Sequence, residues 1–207
     1  AEVLHAPGCT VQGDDVGGFG EAVAAARRAE VAIVVVGGRS GLVAGCTSGE
    51  SIDRSTLGLP GDQQALVEDI HATGTPTVVV LVDGRPLALP GIAAAVPALL
   101  HAFLHGEQGG AAVANVLFGA ASPGGRLPVS MPASEGQLPV FHGHKPSGGR
   151  SHWRGSYVDG PTKPLFPFGH GLSYGRFRYE HLLVSPGEPR PEGAVEGHPL
   201  RGDPDAR

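Results

Sequence analysis

The sequence predicts an α/β fold built on a mostly parallel sheet, and three observations carry that expectation. Two β-branched runs, VAIVVVG (31–37) and TPTVVVLVDG (75–84), read as strands covered on both faces. Each follows a segment with helical patterning, FGEAVAAARRAE (19–30) and GDQQALVEDIHATG (61–74). Only short connections lie between each helix and the strand after it, which is the mark of βαβ units.

The elements follow in chain order. The helix over 19–30 is Ala-rich and places Phe19, Val23 and Ala26 on one side. After the first strand, the stretch from Gly37 to Leu59 runs for more than twenty residues without helical or strand patterning. Loops of that length in compact domains are functional or disordered, and this one leaves the carboxyl end of a strand, where open α/β sheets collect ligands. The second helix begins behind Pro60 and stops at Gly74. VPALLHAFLH (96–105) contains a further strand, and GGAAVANVLFG (109–119) reads as a short helix of small residues. GRLPVSMP (125–132) reads as one more strand, placed at an edge by its prolines. From 133 to 163 the chain is mostly loop, and PLFPFGHGLSYGRFRYEHLLV (164–184) is aromatic and ordered, its glycines allowing close backbone packing. The expected domain is therefore 1–184, with a disordered tail over 185–207 that is almost free of apolar residues. No internal repeat is evident.

Bulk properties narrow the functional classes. The 207 residues suffice for one domain with a sizeable core, and 41% hydrophobic against 17% charged residues suits a soluble globular protein. Thirty-four glycines and nineteen prolines predict many turns and long ordered loops. A net charge of −5 without a basic stripe argues against nucleic acid or an anionic membrane as partner. No apolar run is long enough to span a bilayer. No signal-peptide pattern is visible, which slightly favours the cytoplasm while leaving the compartment open. Cys9 and Cys46 match no zinc spacing and are expected as two reduced thiols.

The long loop carries GCTSGESIDRSTLGLPG (45–61), in which Glu50 stands between small residues. Small neighbours let a substrate approach the carboxyl, and partial shielding from water would hold its proton nearer neutrality, as general-acid work requires. The plainer alternative is a solvated glutamate, with Asp53 and Arg54 as a local ion pair. Two glycine-rich stretches lack phosphate-binding patterns: HGEQGG (105–110) is not GxxxxGK[ST], and VVVGGRSG (34–41) does not complete GxGxxG. Both read as tight turns at strand ends. The segment 142–160 gathers His142, His144, His152, Trp153 and Tyr157, which suits either a sugar-binding surface or an ordered loop. The histidine spacing also admits a metal site, but no companion acid or cysteine lies at a useful distance along the chain, so no metal is expected.

SGESIDR, LGLPGDQQ, VVVLVDGRPL, HGEQGG, LFGAASPGGRLPVSMP and PLFPFGHGLSY, in this order, resemble the second domain of glycoside hydrolase family 3, the β-glucosidase and β-xylosidase group. The likeness runs from about Val3 to Val184. It implies a three-layer α/β/α sandwich with a mostly parallel sheet, whose first strand would lie before Ala1. It further implies a retaining exo-glycosidase in which a (β/α)8 barrel supplies an aspartate nucleophile and this domain supplies the acid/base. The position matching that glutamate is Glu50, with Asp53 and Arg54 fixing the loop's shape. By the same resemblance the 142–160 loop lies near the active-site mouth, with His152 and Trp153 as substrate contacts. No cofactor is implied.

Nothing in the sequence can form a barrel. The expectation is therefore an enzyme part that carries the acid, lacks the nucleophile and needs a barrel in cis or in trans. A missing strand would also leave an unpaired sheet edge. A second reading makes the chain a non-catalytic carbohydrate-binding remnant, and a third makes the sheet a nucleotide-binding domain, which the missing phosphate motifs disfavour.

Overall fold

The computed structural model describes residues 2–13, 15–144 and 157–176, together with Arg178 and Glu180. The expected tail over 185–207 lies outside the described residues. Backbone contacts divide the chain into Ala1–Tyr174 and Gly175–Arg207, and in the second unit Arg178 and Glu180 form an ion pair.

The first unit is an α/β sandwich on a small, open, parallel sheet. Its elements run α1 (Phe19–Arg28), β1 (Ala32–Gly37), α2 (Gln63–His71), β2 (Thr77–Val82), α3 (Pro90–Ala95), β3 (Ala98–His101) and α4 (Gly109–Leu117). A short 3-10 turn follows at Glu135–Gln137. The strands lie in the order β1-β2-β3. Register runs from Ala32 opposite Thr77 to Gly37 opposite Val82, and from Val78 opposite Ala98 to Leu81 opposite His101.

Local sequence explains these elements. Alanines favour α1, while Glu21 in its first turn and Arg27 and Arg28 in its last complement the helix dipole. In α2, Gln63, Leu66, Val67 and Ile70 recur at helical spacing and form the buried face. Together with Ala22 and Ala26 of α1 and Ile92 of α3, that face forms one core with Val34, Val36, Val79 and Leu81 of the sheet. Val79, Val80 and Leu81 are at most 1% exposed, so β2 is covered on both faces as its run predicts.

Three expectations change. β1 is covered on one face only: Ile33 is 43% and Val35 63% exposed, while Val34 and Val36 are buried. The reason is its place at the edge of the sheet, where no described element packs over its outward side chains. Its outer edge has no paired strand among the described residues. Second, 125–132 does not join the sheet. Leu127 and Met131 instead exchange backbone hydrogen bonds with Phe166, Gly169 and His170. Prolines at 128 and 132 remove the donors that a longer ladder needs. Third, PGIAAA forms α3, which its six residues are too few to announce by periodicity.

The glycine-rich PFGHGLSY segment does pack structurally. The Tyr174 hydroxyl donates to the Val116 carbonyl at 2.6 Å, and a Cβ on Gly171 would stand 2.7 Å from the Gly125 oxygen. Cys9 and Cys46 are both free thiols, with burial and then Asp62 and Asp15 pushing the Cys9 thiol up from its ordinary range.

Candidate functional site

Gly37 closes β1, and the chain then stays irregular until α2 begins at Gln63. Both limbs of this loop are pinned. On the outgoing limb, the Arg39 amide donates to Thr47 Oγ1 at 2.9 Å and the Thr47 amide to the Arg39 carbonyl at 2.7 Å. The Gly41 amide donates to the Ser48 carbonyl at 3.1 Å, completing a narrow ladder. On the returning limb Gln63 holds the strand end. Its Oε1 accepts from the Gly37 amide at 2.7 Å, and its Nε2 donates to the carbonyls of Val11, Gly37 and Pro60.

Glu50 occupies the tip of a tight turn in which the Ile52 amide donates to the Gly49 carbonyl at 3.2 Å. Ser51, the next residue in the turn, has φ 60°, a left-handed conformation that costs a non-glycine residue on the order of 1 kcal/mol. Gly49 has φ 145°, and a Cβ there would stand 2.2 Å from the Gly41 oxygen. The ladder beneath the turn therefore admits only glycine at this position. The outcome is that the Glu50 side chain stands exposed, clear of its own loop. The shielding expected around a general acid is not supplied by the described residues.

Asp53 and Arg54 do not pair with each other. Arg54 turns inward, donating through Nη1 to the Gly58 carbonyl at 2.7 Å and through Nη2 to Thr56 Oγ1 at 2.9 Å. Asp53 Oδ1 accepts from the Arg54 amide at 2.8 Å and faces Arg85 Nη1 at 2.8 Å. The expected local ion pair is thus replaced by one that reaches across to the turn after β2. Both residues nevertheless fix the loop's shape.

Arg85 and Asp83 are the residues that sequence reasoning missed. Asp83 follows β2, is 3% exposed, and accepts from the Arg85 amide at 2.8 Å. It lies over Gly38, where a Cβ would stand 2.5 Å from Asp83 Oδ2 and 2.6 Å from Thr47 Oγ1. His101 ends β3 with both ring nitrogens buried, and burial pulls it below the ordinary imidazole range against the opposing pull of Asp83 and the Arg85 backbone. The carboxyl ends of all three strands therefore converge under the loop. Beside the Glu50 turn an open cleft of about 420 Å³ is lined by Ser48, Gly49, Ser51, Ile52, Asp53 and Arg85.

Of the remaining site residues expected from the sequence, His152 and Trp153 lie outside the described residues. His142 stacks on Phe168 with ring centroids 4.7 Å apart, and His144 meets Phe141 edge-on at 4.8 Å. Among the described residues no group of three or more His, Cys, Asp or Glu could hold a metal ion. Among the described residues no helix is long and apolar enough to cross a membrane.

Residues 11–174 match the family model for the glycosyl hydrolase family 3 C-terminal domain. The chain belongs to glycosyl hydrolase family 3. Within the family it is 42% identical over 178 residues to a β-xylosidase of Formosa agariphila, covering 86% of this chain and 24% of that protein. A periplasmic β-glucosidase of Salmonella typhimurium is 38% identical over 181 residues, covering 84% and 23%. Among solved structures, the Listeria innocua β-glucosidase in complex with gluconolactone superposes with a TM-score of 0.71 at 30% identity, covering 81% of this chain and 24% of that one. The family 3 domain described here thus spans about a quarter of the length of these relatives.

Proposed function

We propose that this domain supplies the acid/base of a retaining exo-β-glycosidase that removes terminal β-linked glucose or xylose from oligosaccharides or glycosides. The observation that carries the reading is the placing of Glu50. It is the residue matching the family's acid/base loop, and it stands at the exposed tip of a braced turn beside an open cleft at the strands' carboxyl ends. Relatives named β-xylosidase and β-glucosidase set the range of sugars.

In a retaining mechanism two carboxyl groups lie about 5–5.5 Å apart. One attacks the anomeric carbon while the other protonates the departing glycosidic oxygen. The second then takes a proton from water as that water breaks the glycosyl-enzyme bond. Glu50 fits the second role. The nucleophile is assigned to an aspartate of a (β/α)8 barrel, supplied in cis or in trans, and closure of the barrel and bound sugar over the turn provides the dry environment that the exposed Glu50 lacks here. His152 and Trp153 are proposed to contact the sugar at the mouth of that site. A pyranose has an apolar face for the indole and a polar edge for the imidazole.

The test uses the chain supplied with a barrel, beside Glu50→Ala, on two β-glucosides and the corresponding β-xylosides. A dinitrophenyl glycoside has a leaving group that needs no proton, whereas an alkyl glycoside does need one. Loss of the acid should cut kcat on the alkyl substrate by about a hundredfold or more while sparing the first step on the activated one. Azide should restore turnover of the activated glycoside by attacking the glycosyl-enzyme without a general base. Equal losses of kcat/KM on both substrates, or no loss, would remove Glu50 from the role. Turnover by the isolated chain would overturn the need for a barrel, and sugar binding indifferent to the Glu50 carboxyl would leave a binding remnant.

A further inference from the structure

We propose that Arg85 is a positioning residue for the Glu50 carboxyl, acting through Asp53 and the Arg54 carbonyl. The proposal rests on the reading of Glu50 as acid/base. Arg85 springs from the turn after β2, where the nearly buried Asp83 carboxylate accepts its amide at 2.8 Å and so sets the direction in which it leaves the sheet. Its guanidinium then reaches the loop at two points. Nη2 donates to the Arg54 carbonyl at 3.1 Å, and Nη1, buried and without a hydrogen-bond partner, lies 2.8 Å from Asp53 Oδ1 as a charge contact alone.

Those points matter because of where they fall. The Glu50 turn is held on its outgoing side by the ladder between Arg39–Gly41 and Thr47–Ser48. On its returning side the chain runs from Ile52 straight into Asp53 and Arg54. Arg54 itself is tied to Gly58 and Thr56, farther along the same loop, so it stiffens the loop without joining it to the sheet. Arg85 makes the join. With it the returning foot is held next to the turn, and without it the nearest tie to the segment after β2 is the Ala88 amide on the Leu57 carbonyl at 2.8 Å, farther along the loop. Arg85 also lines the open cleft beside the turn, together with Ser48, Gly49, Ser51, Ile52 and Asp53.

The chemistry of the side chain supports the assignment. A guanidinium presents donors in a rigid fork and can serve a carbonyl and a carboxylate at once, whereas an ammonium offers one compact charge. Position is what general-acid catalysis consumes: a displacement of about 1 Å can cost about a hundredfold in rate. A side chain that only stiffened the fold would lower stability without altering which substrates suffer.

The experiment has two arms, with Arg85→Met and Arg85→Lys. In the first arm hydrogen exchange is followed on the chain itself. Arg85→Met should speed exchange in peptides covering 49–54 by about tenfold while leaving β1 and β2 protected. In the second arm the chain is supplied with a barrel. Arg85→Met should lower kcat/KM on the alkyl glucoside by about tenfold to a hundredfold, with a change of less than about twofold in kcat/KM on the dinitrophenyl glucoside, whose first step needs no proton. Arg85→Lys should recover part of the loss. Unchanged exchange over 49–54 overturns the proposal whatever the kinetics show, as does an equal loss on both glucosides. If Glu50→Ala discriminates between the two glucosides and Arg85→Met does not, the positioning role fails while the acid/base role stands. If neither discriminates, the acid/base reading itself has failed.

Discussion

Gln63 and Arg85 both tie the long loop to the sheet, and they do so in opposite ways. Gln63 is 4% exposed and has all its amide atoms satisfied by backbone groups. The Arg85 side chain is 21% exposed, and its carboxylate partner Asp53 is 74% exposed. A buried amide whose removal strands several backbone groups contributes to whether the domain folds. A solvent-screened ion pair contributes little to stability, so what it can contribute is position. One anchor belongs to the fold and the other to the site.

The comparison breaks most visibly at Gln63. Gln63→Leu strands the Gly37 amide and two nearby carbonyls, and should lower unfolding free energy by about 3 kcal/mol, read as an earlier urea midpoint. An unmoved midpoint would mean that water replaces the side chain and that the two anchors do not differ. Next in size is Gly49→Ala, which places a Cβ against the Gly41 oxygen at a left-handed φ. It should cost about 1–3 kcal/mol locally, seen as faster exchange at the Ile52 amide with β2 unaffected. Arg85→Met should change the unfolding free energy by less than about 1 kcal/mol, read from the urea midpoint, so that its effect is confined to the loop. A shift as large as that of Gln63→Leu would place Arg85 with the fold.

A smaller, pH-dependent effect sharpens the picture beneath the loop. Burial holds His101 below the ordinary imidazole range, with Asp83 and the Arg85 backbone pulling the other way. The folded state therefore favours the neutral ring more than the unfolded chain does. That stability is fully present above the unfolded value of about 6.5 and falls away as pH drops from there through the lower folded value. Urea midpoints measured down through that window should decline, and His101→Gln should flatten the decline. An identical slope in the variant would assign the pH dependence to other groups.

Most of the sheet was legible in the sequence because its signals are local. The run TPTVVVLVDG announced β2 and its two-sided burial, and the patterned stretch bounded by Pro60 and Gly74 announced α2. The same reading overstated β1, because a β-branched run reports what a strand can bury and not what lies over it. Residues 125–132 misled for a related reason: their pattern suits a strand, yet their partners are single residues of 166–170. Around the proposed site, the place of Glu50 in a long loop at the carboxyl end of β1 was legible from the strand that precedes it. Arg85 was not. Its contact with Arg54 joins residues 31 apart in sequence, and no spacing rule marks an arginine in a turn as the brace of a different loop.

The ladder under the Glu50 turn has a consequence for anyone redesigning this domain. It divides the loop into a distal lobe, 42–46, and the tip that carries Glu50, 49–52, joined by the paired limbs at 39–41 and 47–48. In the lobe Leu42 is 70% and Val43 58% exposed. Extra residues placed between Leu42 and Gly45 would lengthen a surface lobe and leave the tip where it is. A single residue added between Gly49 and Ile52 would break the turn that carries the acid. Variation in the lobe can therefore reshape what meets an incoming glycoside without touching the group proposed to cleave it.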